Sequence, residues 1–356
     1  MITQVTDKQA GHLTSLQSDA LRIATFLATV MVVLRHCFNL HRFYTGGNPW
    51  MPITDANIAV QHFVSEWTNV AIPSFFFMSG YLFFRDVQFL GDCIPKWRKR
   101  IQTLLVPYLL WNLLLIILLI CLYARPALRT QLQESFDIRV SIGWFLDRLT
   151  LHPVMGHFWY IRTLMLFLLC APVIYLLLQN YALSFIVLFI LARWWRPIDT
   201  GILSSEGALY FFCGCWLAIH GGLPDVMPFK HWIWIILIVL YNYFIPYFFP
   251  NCITIPGGIA MTMYVGWQIC LLLAKSPVMK RKILSLNRHS FFLFALHSLF
   301  VRFINLLASH HLSHTPLNSF LAYCFTFVSA LTICLLVSAV SRKCTPRFYS
   351  ILTGGR

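Results

Sequence analysis

Charged residues are unusually few in this sequence. Only 11% of its 356 residues are charged, whereas 58% are hydrophobic and the mean hydropathy is +0.70. A soluble domain carries about 25% charged residues, so an ordinary cytosolic enzyme is excluded. Acidic residues are especially few: 12 Asp and Glu stand against 27 Lys and Arg, which leaves a net charge of +15. The composition therefore predicts an integral membrane protein with several spans.

Several familiar motifs are missing. There is no G-x-x-x-x-G-K-[ST] loop for ATP phosphates and no G-x-S-x-G turn of a serine hydrolase. No A-x-A cleavage site follows the first apolar run, so we expect no removable signal peptide. The eleven cysteines lie mostly in apolar runs, and Cys213-x-Cys215 lacks a partner pair, so we expect no metal site. The basic residues form short clusters between apolar stretches, which is typical of membrane orientation rather than of nucleic-acid binding.

Apolar runs of roughly 20 residues, the length that crosses the hydrocarbon, divide the chain into about ten predicted spans. They cover residues 21–41, 62–84, 101–124, 157–178, 181–195, 205–220, 231–249, 255–274, 289–308 and 317–340. With the N-terminus in the cytoplasm, all the lysines fall on the cytoplasmic side, as the positive-inside rule requires. We therefore predict one all-α membrane bundle, residues 1–356, with cytoplasmic tails at 1–20 and 341–356.

Two local features bear on packing. The segment Phe136–Thr150 has apolar residues near helical spacing, which predicts either an amphipathic helix on the outer surface or a loop helix packed on the bundle. The small pair Ser79-Gly80 predicts a site where two helices approach closely.

Few ionisable residues lie in the spans, and each is a functional candidate because burying charge in lipid is costly. They are Arg35, His36, Glu66, Arg162, Glu206, His297 and Arg302, with Arg22 at the cytoplasmic end of the first span. The excess of arginine suits an anionic ligand. A histidine with arginine neighbours suits acyl transfer, because the imidazole takes a hydroxyl proton near neutral pH and fixed donors stabilise the oxyanion. A non-catalytic transporter or flippase for an anionic glycan or lipid stays open as the alternative.

Five segments, in order along the chain, resemble the membrane-bound acyltransferase 3 family. They are Asp19-Ala-Leu-Arg22 with His36, Pro73–Phe84, Lys99-Arg100 with Pro107-Tyr108, His157-Phe-Trp159-Tyr-Ile-Arg162 and Ser290–His297. The resemblance implies ten spans and the transfer of acyl groups, usually acetyl from acetyl-CoA, to hydroxyls of sugars and glycans. It implies acyl-CoA as a co-substrate, no permanently bound cofactor, and a multi-pass place in the plasma membrane, which is the inner membrane of a bacterium.

The resemblance also assigns residues to the donor site and to the base. His36 matches the family's essential histidine, which we predict to act as general base. Arg22 matches the arginine before it, although thirteen residues intervene here instead of the usual ten. Arg100 matches the first arginine of a basic R-x-x-R that handles acyl-CoA, and Thr103 stands where the second is usual. The predicted acyl-CoA contacts are Arg22, Arg98, Lys99 and Arg100.

The remaining predicted contacts lie around the base. Glu66 is predicted to orient or charge-balance His36. Arg162, which with Trp159 matches the family's W-F-x-R, is predicted to stabilise developing negative charge. Trp159, His297 and Arg302 are predicted to contact the substrate or the transition state. Simpler interpretations stay open: Arg22 as a lipid anchor, Arg162 paired with an acid, and His297 as a satisfied core histidine.

Overall fold

The computed structural model describes residues 13–44, 54–126, 129–130, 133, 138–139, 141–196, 201–228, 233, 237 and 254–355. Within these residues the regular secondary structure is entirely helical, with no strands. The main helices are α1 (Ser15–His36), α2 (Ala56–Thr68), α3 (Ala71–Phe84), α4 (Cys93–Arg100), α5 (Val106–Tyr123), α6 (Ile142–Thr150), α7 (Trp159–Leu169), α8 (Ala171–Gln179), α9 (Tyr181–Trp194), α10 (Ser205–His220), α11 (Thr254–Lys275), α12 (Pro277–Asn287), α13 (Ser290–His311), α14 (Pro316–Cys344) and α15 (Pro346–Thr353). A π-helix, Ile101–Leu105, joins α4 to α5, and a 3-10 turn, Gly156–Phe158, precedes α7. The predicted span 231–249 lies outside the described residues, apart from Ile233 and Leu237.

Within these ranges, five helical stretches are long and apolar enough to cross a membrane. They are Ser15–Phe43, Leu90–Tyr123, Pro256–Lys275, Ser290–His311 and Pro316–Cys344. The pair α7 and α8, bent by 63°, is a sixth candidate. α9 and α10 have 14 and 16 residues, fewer than a straight helix needs to cross the hydrocarbon. The all-helical membrane class is confirmed, whereas the count of ten spans and the cytoplasmic termini stay predictions.

Prolines account for breaks in two of the predicted spans. Pro172 is the second residue of α8, and it has no N–H to donate to the carbonyl of Leu168. That carbonyl instead accepts a 2.6 Å hydrogen bond from the indole N–H of Trp97, which ties α4 to the bend. Pro73, the third residue of α3, stands just after the corresponding break between α2 and α3. Two spans that the sequence predicts as continuous are therefore each divided into two helices.

The helices α3 and α10 pack with their backbones in contact. A Cβ atom added to Gly80 would lie 2.3 Å from the carbonyl oxygen of Phe211. A Cβ atom added to Gly214 would lie 2.1 Å from the carbonyl oxygen of Phe77. Only glycine fits at either position, because the opposing atoms belong to the main chain. The close approach predicted at Ser79-Gly80 is confirmed.

The helix α6 packs on the bundle through its buried Trp144. The hydroxyl of Tyr108 in α5 donates a 2.6 Å hydrogen bond to the carbonyl of Thr150, the last residue of α6. The segment predicted as an amphipathic helix begins at Phe136, which lies outside the described residues. Its described part is a helix packed against α5.

The C-terminal helix α15 docks against the π-helix and α5. Tyr349 and Leu352 are buried, and the Trp111 indole N–H donates a 3.1 Å hydrogen bond to the carbonyl of Leu352. Gly354 follows with φ +65°, and its position leaves no room for a Cβ atom, which would lie 2.6 Å from the Thr103 backbone. The predicted cytoplasmic tail 341–356 thus contains a helix that covers the junction between α4 and α5.

Replacing Gly354 by alanine is expected to loosen α15. The substitution combines a left-handed backbone with a main-chain clash, and such strain costs roughly 1–3 kcal/mol. Limited proteolysis should therefore remove the C-terminus of the variant faster than that of the wild type. Gly355→Ala is the matched control, because Gly355 also has a positive φ (+76°) but has nothing within 4 Å of the added Cβ. Equal cleavage of both variants would refute the docking contact.

Basic segments from distant parts of the chain lie on one face of the bundle. Lys280 in α12 forms a 3.1 Å ion pair with Asp19, near the start of α1. The hydroxyl of Tyr349 in α15 donates a 3.3 Å hydrogen bond to the carbonyl of Arg288, just after α12. Since α15 also contacts the π-helix, the basic helix α4 ends on the same face. The clusters predicted to face the cytoplasm are therefore gathered together.

Candidate active site

Three histidines from separate parts of the chain meet in the bundle. His36 is the last residue of α1, His157 lies in the 3-10 turn before α7, and His297 lies in the first half of α13. The ring centroids of His36 and His297 are 5.1 Å apart, those of His157 and His297 are 4.8 Å apart, and those of His36 and His157 are 6.1 Å apart. We call these three residues the histidine cluster.

The cluster is buried on one side and open on the other. His297 is completely buried and His157 is 6% exposed. His36 is exposed, although it lies deep among protein atoms. Part of His36 is therefore accessible, whereas the rings of His157 and His297 pack beside it on the buried side of the cluster.

Backbone contacts fix the tautomer of His297. Its Nδ1 atom lies 2.8 Å from the carbonyl oxygen of Phe294 and 3.1 Å from that of Leu293. A carbonyl only accepts hydrogen bonds, so Nδ1 carries the hydrogen and donates. In the neutral ring the Nε2 atom is then an acceptor. Nε2 is buried and has no hydrogen-bond partner among the described residues.

Two arginines place positive charge beside His36. The charges of both Arg35 and Arg302 act on His36, and that of Arg302 also acts on His157. Arg35 is held in place by a 2.7 Å hydrogen bond from its guanidinium to the carbonyl of Ser65 in α2. Positive charge near His36 suits a ligand that carries or develops negative charge.

The structure does not bring Glu66 into the cluster. Glu66 is exposed on α2, and its carboxylate accepts a 3.4 Å hydrogen bond from the side-chain amide of Asn69. Its negative charge acts on Arg35, as does that of the buried Glu206 at the start of α10. No contact between Glu66 and His36 is seen among the described residues, and the predicted role of Glu66 in orienting or charge-balancing His36 stays a prediction.

Arg162 and Trp159 hold the region of α7 behind the cluster. The buried Arg162 guanidinium donates hydrogen bonds of 2.6 and 2.7 Å to the carbonyls of Leu151 and Gly201, so it ties together two loops. Trp159 is half-buried and packs on Phe76 of α3, with ring centroids 6.0 Å apart. Neither residue has a contact with the histidine rings among those resolved here, and their predicted substrate roles stay predictions.

The predicted acyl-CoA residues occupy the basic face. Arg22, Arg98 and Lys99 are exposed, whereas Arg100 is half-buried. Arg100 lines a cavity of about 270 Å³ between the α4–α5 region and α7. The other lining residues include Trp97, Leu105, Tyr108, Arg162 and Met165.

Arg100 is also linked to the histidine cluster through aromatic residues. Its charge interacts with Tyr160, whose ring contacts Phe294 at a centroid distance of 6.1 Å. Phe294 in turn contacts His157 at 5.1 Å. Packed aromatic rings therefore connect Tyr160, which lies within range of the charge of Arg100, to the histidine cluster.

The sequence named two members of the cluster and missed the third. His157 stands in a segment that carries the family resemblance, but it lies at the boundary of a predicted span. The sequence does not indicate whether a histidine at the end of a span is buried. In the folded chain the 3-10 turn before α7 places His157 next to His36 and His297.

An enclosed histidine site inside an apolar helical bundle defines a membrane protein with chemistry in its interior. The family model of the acyltransferase domain matches residues 19–339, nearly the whole chain. The chain therefore belongs to the acyltransferase 3 family, and the family and general activity predicted from the sequence are confirmed: it is a membrane acyltransferase. No curated protein and no solved structure matches it.

Proposed function

We propose that this acyltransferase moves an acyl group, acetyl in the first instance, from acyl-CoA to a hydroxyl of a sugar, a glycan or a related envelope acceptor. The observation that carries the proposal is His36 itself, exposed yet surrounded by protein atoms, next to two buried histidines and under the charges of two arginines. An accessible base within a membrane bundle can take the proton of a bound alcohol while the surrounding helices limit the access of bulk water. The alternative of a transporter has no comparable observation in its favour.

In the proposed reaction His36 both accepts the proton of the acceptor and returns it to the leaving group. The acceptor hydroxyl attacks the thioester carbonyl carbon, and His36 takes the hydroxyl proton. The oxyanion that forms is stabilised by the positive charges of Arg35 and Arg302. The carbon–sulfur bond then breaks, and the leaving thiolate receives the proton from His36. The products are an ester and free CoA, and the imidazole returns to its starting state.

The donor enters from the basic face in this proposal. Arg98 and Lys99 are exposed there, and the half-buried Arg100 lines the neighbouring cavity. Arginine and lysine are the residues that hold phosphate groups, so they suit the phosphates of CoA. Arg22, exposed on α1, is proposed to join them. In this proposal the protein lies in the plasma membrane. Its basic face is turned to the cytoplasm, where acyl-CoA is made.

The remaining predicted residues take supporting roles. Glu66 is proposed to balance the charge of Arg35, since its carboxylate acts on that guanidinium. Arg162 is proposed to hold the two loops that it joins and so to shape the outer side of the site.

Acyl transfer by the purified protein tests the proposal. In lipid nanodiscs, with radiolabelled acetyl-CoA and isolated envelope glycans, we expect alkali-labile label on the glycan and release of free CoA thiol in equal amounts. Parallel reactions with longer acyl-CoA thioesters identify the preferred chain. If no acyl-CoA yields either ester or free thiol above the level of empty nanodiscs, the proposed function is wrong.

A further inference from the structure

A histidine that acts as base usually needs a second group that holds its ring. The partner accepts a hydrogen bond from one ring nitrogen, so that the lone pair of the other nitrogen points at the substrate. A carboxylate often has this role. Here the fixed charges that act on His36 are the positive ones of Arg35 and Arg302, and no carboxylate contact with His36 is seen among the described residues.

His297 has the geometry that such a partner needs. Its ring centroid lies 5.1 Å from that of His36, a separation that allows an N–H···N hydrogen bond when a nitrogen of each ring faces the other. Its Nδ1–H is committed to the carbonyls of Leu293 and Phe294, so the ring cannot turn over without losing those bonds. Its Nε2 atom is left as a buried acceptor without a partner in the described part of the chain.

An orphaned acceptor in a buried site calls for an explanation, because buried polar atoms are nearly always hydrogen-bonded. The two rings nearest to His297 are those of His157 and His36. His157 is itself buried, whereas His36 is exposed. The ring of His157 already interacts with the backbone of Ala295. A hydrogen bond from His36 would satisfy Nε2 and also direct the other nitrogen of His36 toward a substrate.

We propose that His297 is the positioning residue of the active site: its neutral Nε2 accepts a hydrogen bond from a ring N–H of His36. The inference rests on the proposed function. The proton from the acceptor hydroxyl moves to His36 and then to the leaving thiolate, and His297 keeps its own Nδ1 hydrogen throughout. A carboxylate in this position would repel the oxyanion and the leaving thiolate. A neutral imidazole acceptor adds no such negative charge.

Two amide substitutions at position 297 separate this role from simple packing. The amide of asparagine can replace Nδ1 as a donor to the backbone carbonyls, but it leaves nothing at the position of Nε2. Glutamine can place its side-chain oxygen near that position and accept a hydrogen bond there. We expect His297→Asn to lower kcat about 100-fold with little change in KM, because acid–base catalysis contributes at least that factor. His297→Gln should retain activity within about tenfold of the wild type by the same reasoning.

Matched controls come from the residue that caps the start of the same helix. His289, just before α13, is bonded through Nδ1 to the hydroxyl of Ser338, 2.8 Å away, and lies outside the cluster. His289→Asn and His289→Gln should leave kcat and KM near wild-type values. Size-exclusion profiles in detergent check that all four variants fold.

The outcomes distinguish this inference from the proposed function. If His297→Asn keeps the wild-type kcat, or if glutamine is no better than asparagine, the positioning role is wrong even though acyl transfer stands. If His297→Asn fails to fold, the test rests on His297→Gln alone. A kcat reduced 100-fold or more in that variant would overturn the positioning role. Should an alanine at position 36 retain full activity, the proposed function and this inference both fail.

Discussion

Replacing His36 by alanine is expected to abolish acyl transfer. The substitution removes the proposed base, and general acid–base catalysis contributes roughly 10²–10⁴-fold to a rate. We expect kcat to fall by about 10³-fold or more on that basis, measured as labelled ester formed from acetyl-CoA. Binding of acyl-CoA should persist, because Arg98, Lys99 and Arg100 lie on the basic face and are unchanged.

The fold of the His36→Ala variant should survive. His36 is exposed, so its truncation leaves no new cavity in the packed core. His62→Ala is a suitable control, since His62 is a half-buried histidine on α2 whose ring packs on Phe38 at 6.0 Å. It should reduce activity only slightly. A His36→Ala enzyme with wild-type turnover would remove the catalytic assignment.

The second large effect is expected at the contact between α3 and α10. In Gly80→Val the added Cβ would lie 2.3 Å from the carbonyl oxygen of Phe211, a main-chain atom that cannot move by rotating a side chain. The helices would have to separate, and overpacking of this kind costs about 3 kcal/mol. Because proteins are stable by only about 5–15 kcal/mol, much of the folded population should be lost.

Fluorescence-detected size exclusion after solubilisation measures this loss. We expect Gly80→Val and Gly214→Val to give aggregated material and a lower melting temperature. Gly266→Ala in α11 is the matched control, because nothing lies within 4 Å of the added Cβ. It should behave like the wild type or be slightly more stable, since alanine favours a helix more than glycine does. Normal thermal stability of Gly80→Val would contradict the backbone contact.

The class of the protein and its principal residue follow from local information. Scarce charge and long apolar runs predict membrane insertion, because lipid excludes ionised groups whatever the arrangement of the helices. The order of five short segments predicts the acyltransferase 3 family, which the family match confirms. His36 is part of that pattern, and its role stays a prediction until the alanine variant is measured.

The surroundings of His36 required the folded chain. The sequence predicts Glu66 beside His36, and Arg162, His297 and Arg302 around the substrate. In the structure the rings next to His36 are those of His297 and His157, because the residues that meet depend on where each helix begins and how it is staggered against its neighbours. The breaks near Pro172 and Pro73 add to this, since a divided span does not keep the rise of one straight helix.

By itself, then, the sequence determined what kind of protein this is: hydropathy and motif order are properties of consecutive residues, and they predict a membrane acyltransferase with a histidine base. Only the tertiary structure decided which imidazoles meet inside the bundle. The physical reason is that these contacts join α1, α13 and the turn before α7, elements separated by more than a hundred residues of chain. Their distances depend on close helix packing that no local pattern specifies.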